Sequence, residues 1–302
     1  MSLTLQSFNQ AKRHSRRVKP GRLPADSLTA ITTLLILFLV FVFVLFPICS
    51  NLFSKLGSRA RILAKQLSQL QRVETALDLF KSELNFYPPS GALDENGIPY
   101  CGAMKLVEAI MGQDLYGFHP DSVFRRDGTD SKGMMLYPDT NNLSRQAYSD
   151  NFNMRKRYYL RDGNCYHLKD LYNDIGPFDG NEYVLCDTYR VANKISNDEY
   201  IGMPVLYYKA NTSKTAHDIN DPNNPENIYN YRDNHALLAL GVPGKPELKH
   251  PLYENPKIFY EITKNPKVSG PIRPYGVDTY ILLSAGKDGL YGTKDDIANF
   301  DF

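Results

Sequence analysis

The C-terminal segment at residues 280–299 reads YILLSAGKDGLYGTKDDIAN and says more about the fold than any other stretch of the chain. Its first five residues belong to a run of β-branched and aromatic residues, Thr279–Ser284, which predicts a strand. Beyond the strand, three glycines punctuate a loop that carries Asp288, Asp295 and Asp296. Calcium takes about six to eight oxygen ligands, and a glycine-rich loop can bend to offer both carboxylates and backbone carbonyls. These residues leave two interpretations open, a calcium site or a polar hairpin loop whose acidic tip is solvated.

The same segment closely resembles the C-terminal signature of the major pseudopilins of type II secretion systems, the protein G family. The family pattern Y-x-L-x-S-x-G-x-D-G-x-x-G-T-x-D-D-I is met at every fixed position between Tyr280 and Ile297. In that family the loop binds calcium. The resemblance therefore implies Ca²⁺ as a cofactor, held by the three aspartates with backbone carbonyls nearby, for which we expect Leu282 and Ser284.

A second resemblance to this family lies at the end of a long amphipathic segment. Residues 73–88 read VETALDLFKSELNFYP, and the family has an A-L-x-x-[FY]-K helix that runs into a Tyr-Pro break. Apolar residues recur at helical spacing and predict one stripe along a helix; they are Leu63, Leu67, Leu70, Val73, Leu77, Phe80 and Leu84. The paired prolines Pro88 and Pro89 forbid further helix. The stripe is compatible with a coiled-coil stem or with a helix packed on its own domain.

Upstream of this stripe, the segment Leu28–Cys49 is almost continuously apolar, and no charged residue occurs between Ser27 and Ser54. At about 1.5 Å per residue the run reaches roughly 33 Å, enough to cross a hydrocarbon core of about 30 Å. It is also longer than the apolar core of a cleaved signal peptide. Six basic residues and no acidic residue lie within residues 1–22, so the positive-inside rule places the N-terminus in the cytoplasm. We expect a single-pass membrane protein, and the resemblance implies the bacterial inner membrane with the C-terminal domain in the periplasm.

The rest of the chain is mildly acidic. Of 35 Lys and Arg residues, removing the six at the N-terminus leaves 29 against 33 Asp and Glu, a net charge of −4. Nucleic-acid binding needs a clustered positive surface. We therefore expect no nucleic-acid partner.

These features predict an α+β protein, and the resemblance implies a type IV pilin-like fold in which a long N-terminal transmembrane and amphipathic helix packs on a small antiparallel sheet domain. The expected segments are a basic leader at 1–25, a transmembrane helix at 26–51, an amphipathic helix at 52–87, and a globular domain at 88–302 with an insertion at about 112–276 and a calcium loop at 282–299. Within the domain, a helix is predicted at Ala103–Met111 and strands at Glu182–Leu185 and Pro204–Lys209. The stretch Asn211–Asn234, rich in Asn, Asp and Pro, is predicted to be a surface loop.

The N-terminus departs from the family pattern. Prepilins are cleaved after a Gly that precedes F-T-L-I-E, with a proline about 22 residues into the mature helix. Counting back from Pro47 places the possible processing site between Ala25 and Asp26, where the family has Gly and Phe. Ala30 stands where the family has Glu, whose carboxylate is thought to pair with a neighbouring subunit's N-terminal amine.

Standard catalytic signatures are absent from the sequence, which contains no H-E-x-x-H, no G-x-S-x-G, no P-loop and no G-x-G-x-x-G. Cys165 and His167 would share one face of a strand, so a thiol nucleophile or a metal pair is conceivable there. A disulfide cysteine beside a surface histidine is the plainer interpretation. Proximity in sequence makes Cys165 and Cys186 the first guess for a disulfide.

Three functions follow from these observations. The first is a non-enzymatic, pseudopilin-like structural subunit of a type II secretion or related type IV pilus-like system. Its partners would be the membrane, other pseudopilins or secretion-system subunits, and a prepilin peptidase. The alternative is a permanently membrane-anchored periplasmic or surface binding protein with a pilin-like fold, whose insertion recognises a ligand. A membrane-anchored hydrolase that uses Cys165 and His167 is the third.

Overall fold

The chain folds around one long helix and several short helices and strands. The computed structural model describes residues 33, 34, 36, 38–41, 43, 46–138, 145–158, 164–190, 192–193 and 199–300. The helices in this part of the chain are α1 (Phe46–Leu84), α2 (Gly102–Met111), α3 (Arg145–Met154), α4 (Leu168–Leu171), α5 (His235–Leu238), α6 (Pro251–Glu254) and α7 (Lys257–Thr263), with a 3₁₀ turn at Tyr231–Asn234. The strands are β1 (Cys165–His167), β2 (Tyr183–Leu185), β3 (Ala192–Asn193), β4 (Tyr200–Ile201), β5 (Leu206–Lys209), β6 (Tyr280–Ser284) and β7 (Ile297–Ala298).

The chain divides into two units, residues 1–59 and 60–302. In the first unit, the described large apolar side chains are exposed; these are Leu34, Ile36, Phe38, Leu39, Val40, Phe41, Phe43 and Leu56. Across the described ranges, no helix combines the length and the apolar character needed to span a membrane. The predicted leader with its processing site at Ala25 and Asp26 lies outside the described residues, as does much of the predicted span 26–51.

Small antiparallel sheets support the second unit. β1 pairs with β2, β3 pairs with β4, and β6 lies between β5 and β7. In this last sheet, Leu283 is opposite Leu206 on one side and Ala298 on the other. Every residue of β6 is buried. The fold is therefore α+β, as predicted, with β6 as its central strand.

The second half of α1 packs on its own domain. Leu70, Val73, Leu77 and Phe80 are each at most 2% exposed and belong to the main hydrophobic core, whereas Leu63 remains 43% exposed. Of the two arrangements compatible with the stripe, the structure therefore has intramolecular packing over the second half of the helix. The helix ends at Leu84, before the paired prolines, as predicted.

An aromatic cluster holds this end of α1. The ring of Phe80 lies 5.0 Å from that of Phe118 and 5.5 Å from that of Tyr158, in edge-on geometry. Such pairs add about 0.5–1.5 kcal/mol each beyond the area that they bury. The cluster ties α1 to the segment that the sequence predicted to be an insertion.

Helix α2 is buried on all sides. Every residue from Gly102 to Met111 is buried, including Lys105 and Glu108. Lys105 Nζ donates to the carbonyls of Gly91 and Leu93 at 2.8 Å each, and Glu108 accepts a hydrogen bond of 2.7 Å from the hydroxyl of Tyr100. These bonds compensate the desolvation of two charged groups in a core helix.

The predicted regular elements of the domain are confirmed with bounds that differ by one or two residues. The predicted helix Ala103–Met111 corresponds to α2, and the predicted strands Glu182–Leu185, Pro204–Lys209 and Thr279–Ser284 correspond to β2, β5 and β6. The short strands and helices elsewhere carry too few residues to show a period, and the ten-residue helix α3 has a polar sequence without an apolar stripe, so these elements were not predicted.

Candidate metal centre

The C-terminal loop, residues 285–296, connects β6 to β7. Asn299 closes its base, since its side-chain oxygen accepts from the amide of Leu282 at 2.9 Å and its own amide donates to the Leu282 carbonyl at 3.3 Å. The side-chain nitrogen of Asn299 donates to Glu74 Oε1 of α1 at 3.1 Å. The two ends of the loop are thus joined to each other and to the long helix.

Asp295 organises the first half of the loop. Its Oδ2 accepts from the amides of Lys287 at 2.8 Å and Asp288 at 2.9 Å, and its Oδ1 accepts from the Thr293 hydroxyl at 2.6 Å. Burial raises the pKa of Asp295, but these hydrogen bonds outweigh it and the net pKa lies below its usual value. Gly286 has φ +66°, and a Cβ there would collide with the backbone carbonyl of Asp295. The close return of the chain therefore requires glycine at this position.

Asp296 is the most deeply buried carboxylate of the loop, at 6% exposure. Its Oδ2 accepts from the amide of Gly292 at 2.7 Å, whereas its Oδ1 is buried and has no hydrogen-bond partner among the described residues. Burial, followed by the charges of Asp288 and Asp295, raises the pKa of Asp296 to about 8. A buried carboxylate oxygen without a donor is costly unless a proton or a cation joins it.

Asp288 completes the acidic group. Its Oδ1 accepts from the amide of Leu290 at 2.8 Å. Burial and the neighbouring carboxylate of Asp295 raise the pKa of Asp288. Like charges so close together oppose full ionisation of the loop. A hard cation would relieve both the repulsion between the carboxylates and the unpaired oxygen of Asp296.

The carboxylates of the loop do not form a complete coordination shell for a metal ion. Within the described ranges, no group of three or more His, Cys, Asp and Glu side chains is arranged to hold a metal ion. Asp295 already accepts three hydrogen bonds from its own loop. Asp296 Oδ1 is therefore the buried carboxylate oxygen of the loop that has no donor among the described residues, and Asp295 shapes the loop around it.

Leu282 and Ser284, predicted to be ligands, are engaged elsewhere. The amide and carbonyl of Leu282 pair with Asn299. The hydroxyl of Ser284 donates to Asp187 Oδ2 at 2.7 Å and accepts from the amide of Gly286 at 3.3 Å. The structure thus brings the three aspartates into one loop and gives these two residues roles in its base.

Asp187 was not predicted from the sequence. It is 3% exposed, and its Oδ1 accepts from the amides of Tyr189 at 3.0 Å and Met203 at 3.2 Å. Burial raises its pKa to about 7. It belongs to a chain segment far from the loop in sequence, and no local pattern signals that its partner is Ser284.

The far side of the loop is anchored by Tyr291 and His250, also not predicted. The hydroxyl of Tyr291 donates to the carbonyl of Pro204, and its carbonyl accepts from the amide of Leu252 at 3.1 Å. The ring of His250 lies 4.9 Å from that of Tyr291, and burial lowers the pKa of His250 to about 4. A neutral histidine here packs as part of the core.

The predicted disulfide between Cys165 and Cys186 is wrong for this structure, in which neither residue is part of a disulfide. In the β1–β2 register, Cys165 is opposite Leu185. Because side chains alternate across a strand, the residue after Leu185 faces the other side of the sheet. Cys165 Sγ instead lies 3.5 Å from the sulfur of Met111.

His167 contacts Asn181 and Tyr183. Its Nδ1 lies 2.6 Å from the carbonyl of Asn181, and its ring stacks on Tyr183 at 3.8 Å. This hydrogen bond and this ring stacking hold His167 at the end of β1.

Comparison of the chain with protein-family models, with curated proteins and with solved structures finds no match. Function is therefore inferred from the residues and from the geometry of the loop. The most specific feature is a string of fixed residues at 280–299 that closes the sheet and gathers three carboxylates.

Proposed function

We propose that this protein is a pseudopilin-like structural subunit of a type II secretion or related type IV pilus-like system, with a type IV pilin-like fold and a calcium-stabilised C-terminal loop. The observation that carries the proposal is the place of residues 280–299 in the fold. They form the central strand, the acidic loop and the closing strand, and Asn299 joins them to α1 at Glu74. The family signature therefore lies where it can brace the long helix.

The role we propose is mechanical. The apolar face of the N-terminal helix would pack against copies of the chain or other subunits, and the globular unit would present its surface to the periplasm of a bacterial cell. The exposure of Leu63 and Leu67, at 43% and 42%, supports this, because the stripe extends beyond the part that the domain itself covers.

Calcium would stabilise the loop from Asp288 to Asp296. A bound Ca²⁺ supplies positive charge to carboxylates that otherwise repel one another. Asp296 would contribute its unpaired Oδ1 and Asp288 its carboxylate, while Asp295 would keep the loop closed through its hydrogen bonds to Thr293 and to two backbone amides. The chain would need no active site for this role.

A second candidate is a permanently anchored periplasmic or surface binding protein with the same fold. Ala30, in place of the family's Glu, favours it, because a subunit without that carboxylate lacks the usual charge partner in a filament. Cleavage between Ala25 and Asp26 separates the two candidates.

The decisive measurement is the intact mass of the native protein extracted from its own membranes. A mass that lacks residues 1–25 supports a subunit matured by a prepilin peptidase. A full-length mass contradicts the filament role and favours the permanently anchored candidate.

The calcium part of the proposal has its own test. We expect EGTA to lower the melting temperature of the full chain in detergent by on the order of 5–10 °C, since a ligand at about 100 times its Kd contributes about 2.7 kcal/mol. Asp288→Asn should remove most of the difference between calcium and EGTA.

Asp130→Asn is the matched control. Like Asp288, Asp130 accepts a hydrogen bond of 2.8 Å from the amide two residues along the chain, but it lies in a different loop. A calcium shift that is equal in Asp288→Asn and wild type would count against the metal site.

A further inference from the structure

A second polar feature of the molecule is a cleft of about 590 Å³ between the loop Asn211–Asn234 and the end of β5. This is the Asn- and Pro-rich stretch that the sequence marked as a surface loop. Its walls include Pro89, Lys209, Tyr229, Arg232 and Tyr260. Small-molecule sites usually have volumes of about 300–1,000 Å³, so the cleft has room for a sugar-sized ligand.

The loop that forms the cleft is held in one conformation. Asp218 Oδ1 accepts from the amides of Asn220 and Asp221 at 3.0 Å each, and Asn227 Oδ1 accepts from the amide of Asp218 at 2.7 Å. The buried hydroxyl of Tyr260 donates to the carbonyls of Pro222 at 3.1 Å and of Tyr229 at 3.0 Å. The walls are therefore organised before any ligand binds, which reduces the entropy lost on binding.

Three of the five asparagines that line the cleft, Asn211, Asn223 and Asn230, accept hydrogen bonds through their side-chain oxygens, whereas the side-chain nitrogens of Asn224 and Asn227 donate within the loop. Asn211 Oδ1 accepts from Ser213, Asn223 Oδ1 from Arg232 Nη2, and Asn230 Oδ1 from the amide of Arg232. In the part of the chain that the structure describes, their side-chain nitrogens have no acceptor. Because the Arg232 and backbone N–H groups can only donate, they fix the amide oxygens inward and leave the NH₂ groups to a ligand.

Two cationic side chains, those of Arg232 and Lys209, line the cleft together with these amides. The guanidinium of Arg232 is held by Asn223 at 2.9 Å and by the hydroxyl of Tyr231 at 3.2 Å, which leaves Nη1 without an acceptor among the described residues. Lys209 is half-buried, and burial together with the charge of Lys81 lowers its pKa. A ligand's negative charge would favour the ammonium form of this lysine.

The carboxylate in the wall does not offset these donors. Asp233 is 5% exposed, and its Oδ2 accepts from the hydroxyl of Ser90. That hydroxyl in turn accepts from the amide of Lys209 at 2.9 Å. One oxygen of Asp233 is thus engaged within the wall, and the lining of the cleft carries two cationic side chains, Lys209 and Arg232, against this one carboxylate.

We propose that this cleft binds a small, sugar-sized anionic ligand, a carboxylate or a phosphate ester, whose oxygens accept from Lys209, Arg232 and the asparagine amides. This function goes beyond the structural role proposed above and does not depend on it. Donors without matching acceptors select for an oxygen-rich anion, since such a ligand satisfies them all.

The test is calorimetric titration of the full chain in detergent with three sugars that differ in charge: glucuronate, glucose 6-phosphate and neutral glucose. All titrations contain EGTA, so calcium at the C-terminal loop does not contribute. We expect saturable binding of at least one anionic sugar and none of glucose. Binding of glucuronate alone identifies a carboxylate site, and binding of glucose 6-phosphate alone identifies a phosphate ester site.

Variants locate the binding. Arg232→Gln and Lys209→Gln should each weaken the anionic sugar by at least about tenfold, because each removes a charge-assisted hydrogen bond. Lys245→Gln removes the same charge from an exposed lysine outside the cleft and should leave affinity unchanged. The proposal is overturned by an absence of saturable binding, by equal binding of glucose, or by an equal loss in Lys245→Gln. Any of these results would leave the pseudopilin-like role standing.

Discussion

Two loops of this protein are shaped by similar hydrogen bonds, but the polar atoms that they leave for a ligand are acceptors in one loop and donors in the other. In the C-terminal loop, 285–296, and in the cleft loop, 211–234, Asp and Asn side chains accept hydrogen bonds from nearby backbone amides. In the described part of the chain, the C-terminal loop leaves a buried acceptor, Asp296 Oδ1, without a donor. Among the residues that the structure describes, the cleft loop leaves the side-chain nitrogens of Asn211, Asn223 and Asn230 and Nη1 of Arg232 without acceptors. The sign of the ligand that each would take follows from the atoms that its own folding leaves unused.

The loops also differ in how the backbone turns. The C-terminal loop has Gly286, Gly289 and Gly292, with φ values of +66°, +76° and +91°. The cleft loop has no glycine and turns through Asn, Asp and Pro. Glycine permits the close return that brings the carboxylates together, whereas side-chain caps make a more open wall.

The largest effect is expected at Gly286. We expect Gly286→Ala to destabilise the protein by about 3 kcal/mol or more, because alanine adds a clash with the Asp295 carbonyl to the strain of a left-handed conformation. Denaturant unfolding measures it. Gly133→Ala is the matched control, since Gly133 has φ +82° and open space around a Cβ, and it should lose only about 1–2 kcal/mol. Equal losses would show that the close return of the loop is unimportant.

Ser90→Ala tests whether Asp233 is satisfied within the wall of the cleft. The substitution removes the donor to a buried carboxylate and the acceptor for the amide of Lys209, so we expect a loss of about 2 kcal/mol. Chemical denaturation measures the difference. Ser213→Ala, at an exposed hydroxyl that donates to Asn211, should change stability by less than about 0.5 kcal/mol. A negligible loss in Ser90→Ala would mean that Asp233 is available to ligands, and the cleft would no longer be donor-rich.

The third prediction concerns pH in the absence of calcium. The folded pKa of Asp296, about 8, lies far above the unfolded value of about 3.9, so the folded state binds the proton more tightly. Its contribution to stability is greatest below about pH 4 and is lost as pH rises to about 8, at up to about 1.4 kcal/mol per pH unit. Asp187 and Asp233, each with a pKa of about 7, act in the same direction.

Unfolding free energies measured in EGTA at about pH 5 and about pH 8 check this sign. Asp296→Asn should make the decrease in unfolding free energy with pH smaller than in wild type. Calcium should restore stability at the higher pH, because the cation takes the place of the proton. A slope that is the same in Asp296→Asn would assign the pH dependence to other groups.

The smallest effect is expected at Arg232. Its side chain is exposed and bonds only to Asn223 and Tyr231 within the described residues, so Arg232→Gln should change the unfolding free energy by less than about 0.5 kcal/mol. Thermal melting of wild type and variant provides the comparison. A large loss would show that this donor is structural, which would remove the contrast between the two loops.

The sequence allowed the fold to be predicted in part. A stripe with helical period predicted where α1 ends, and β-branched runs predicted β2, β5 and β6. The strands β1, β3, β4 and β7 and the short helices were missed, because so few residues show no period, and the ten-residue helix α3 was missed because its polar sequence has no apolar stripe. The guess that Cys165 pairs with Cys186 failed for a different reason, since closeness in sequence says nothing about which face of a sheet a side chain takes.

The candidate site was predictable only as a set of residues. Asp288, Asp295 and Asp296 stood out by their spacing with glycine, but their separate roles did not. That Asp295 holds the loop, that Asp296 keeps a buried oxygen unpaired and that Ser284 bonds Asp187 depend on burial and on partners up to 97 positions away in the chain.

By itself the sequence determined the local chemistry of this protein: the helical stripe, the central strand, the glycine turns and the acidic and amide-rich loops. Those features depend on neighbours within a few residues, where steric and hydrogen-bonding rules act directly on the chain. Only the tertiary structure decided which polar atoms remain unsatisfied, because each is settled by long-range packing. The two loops would bind opposite charges for that reason, although similar backbone caps shape them both.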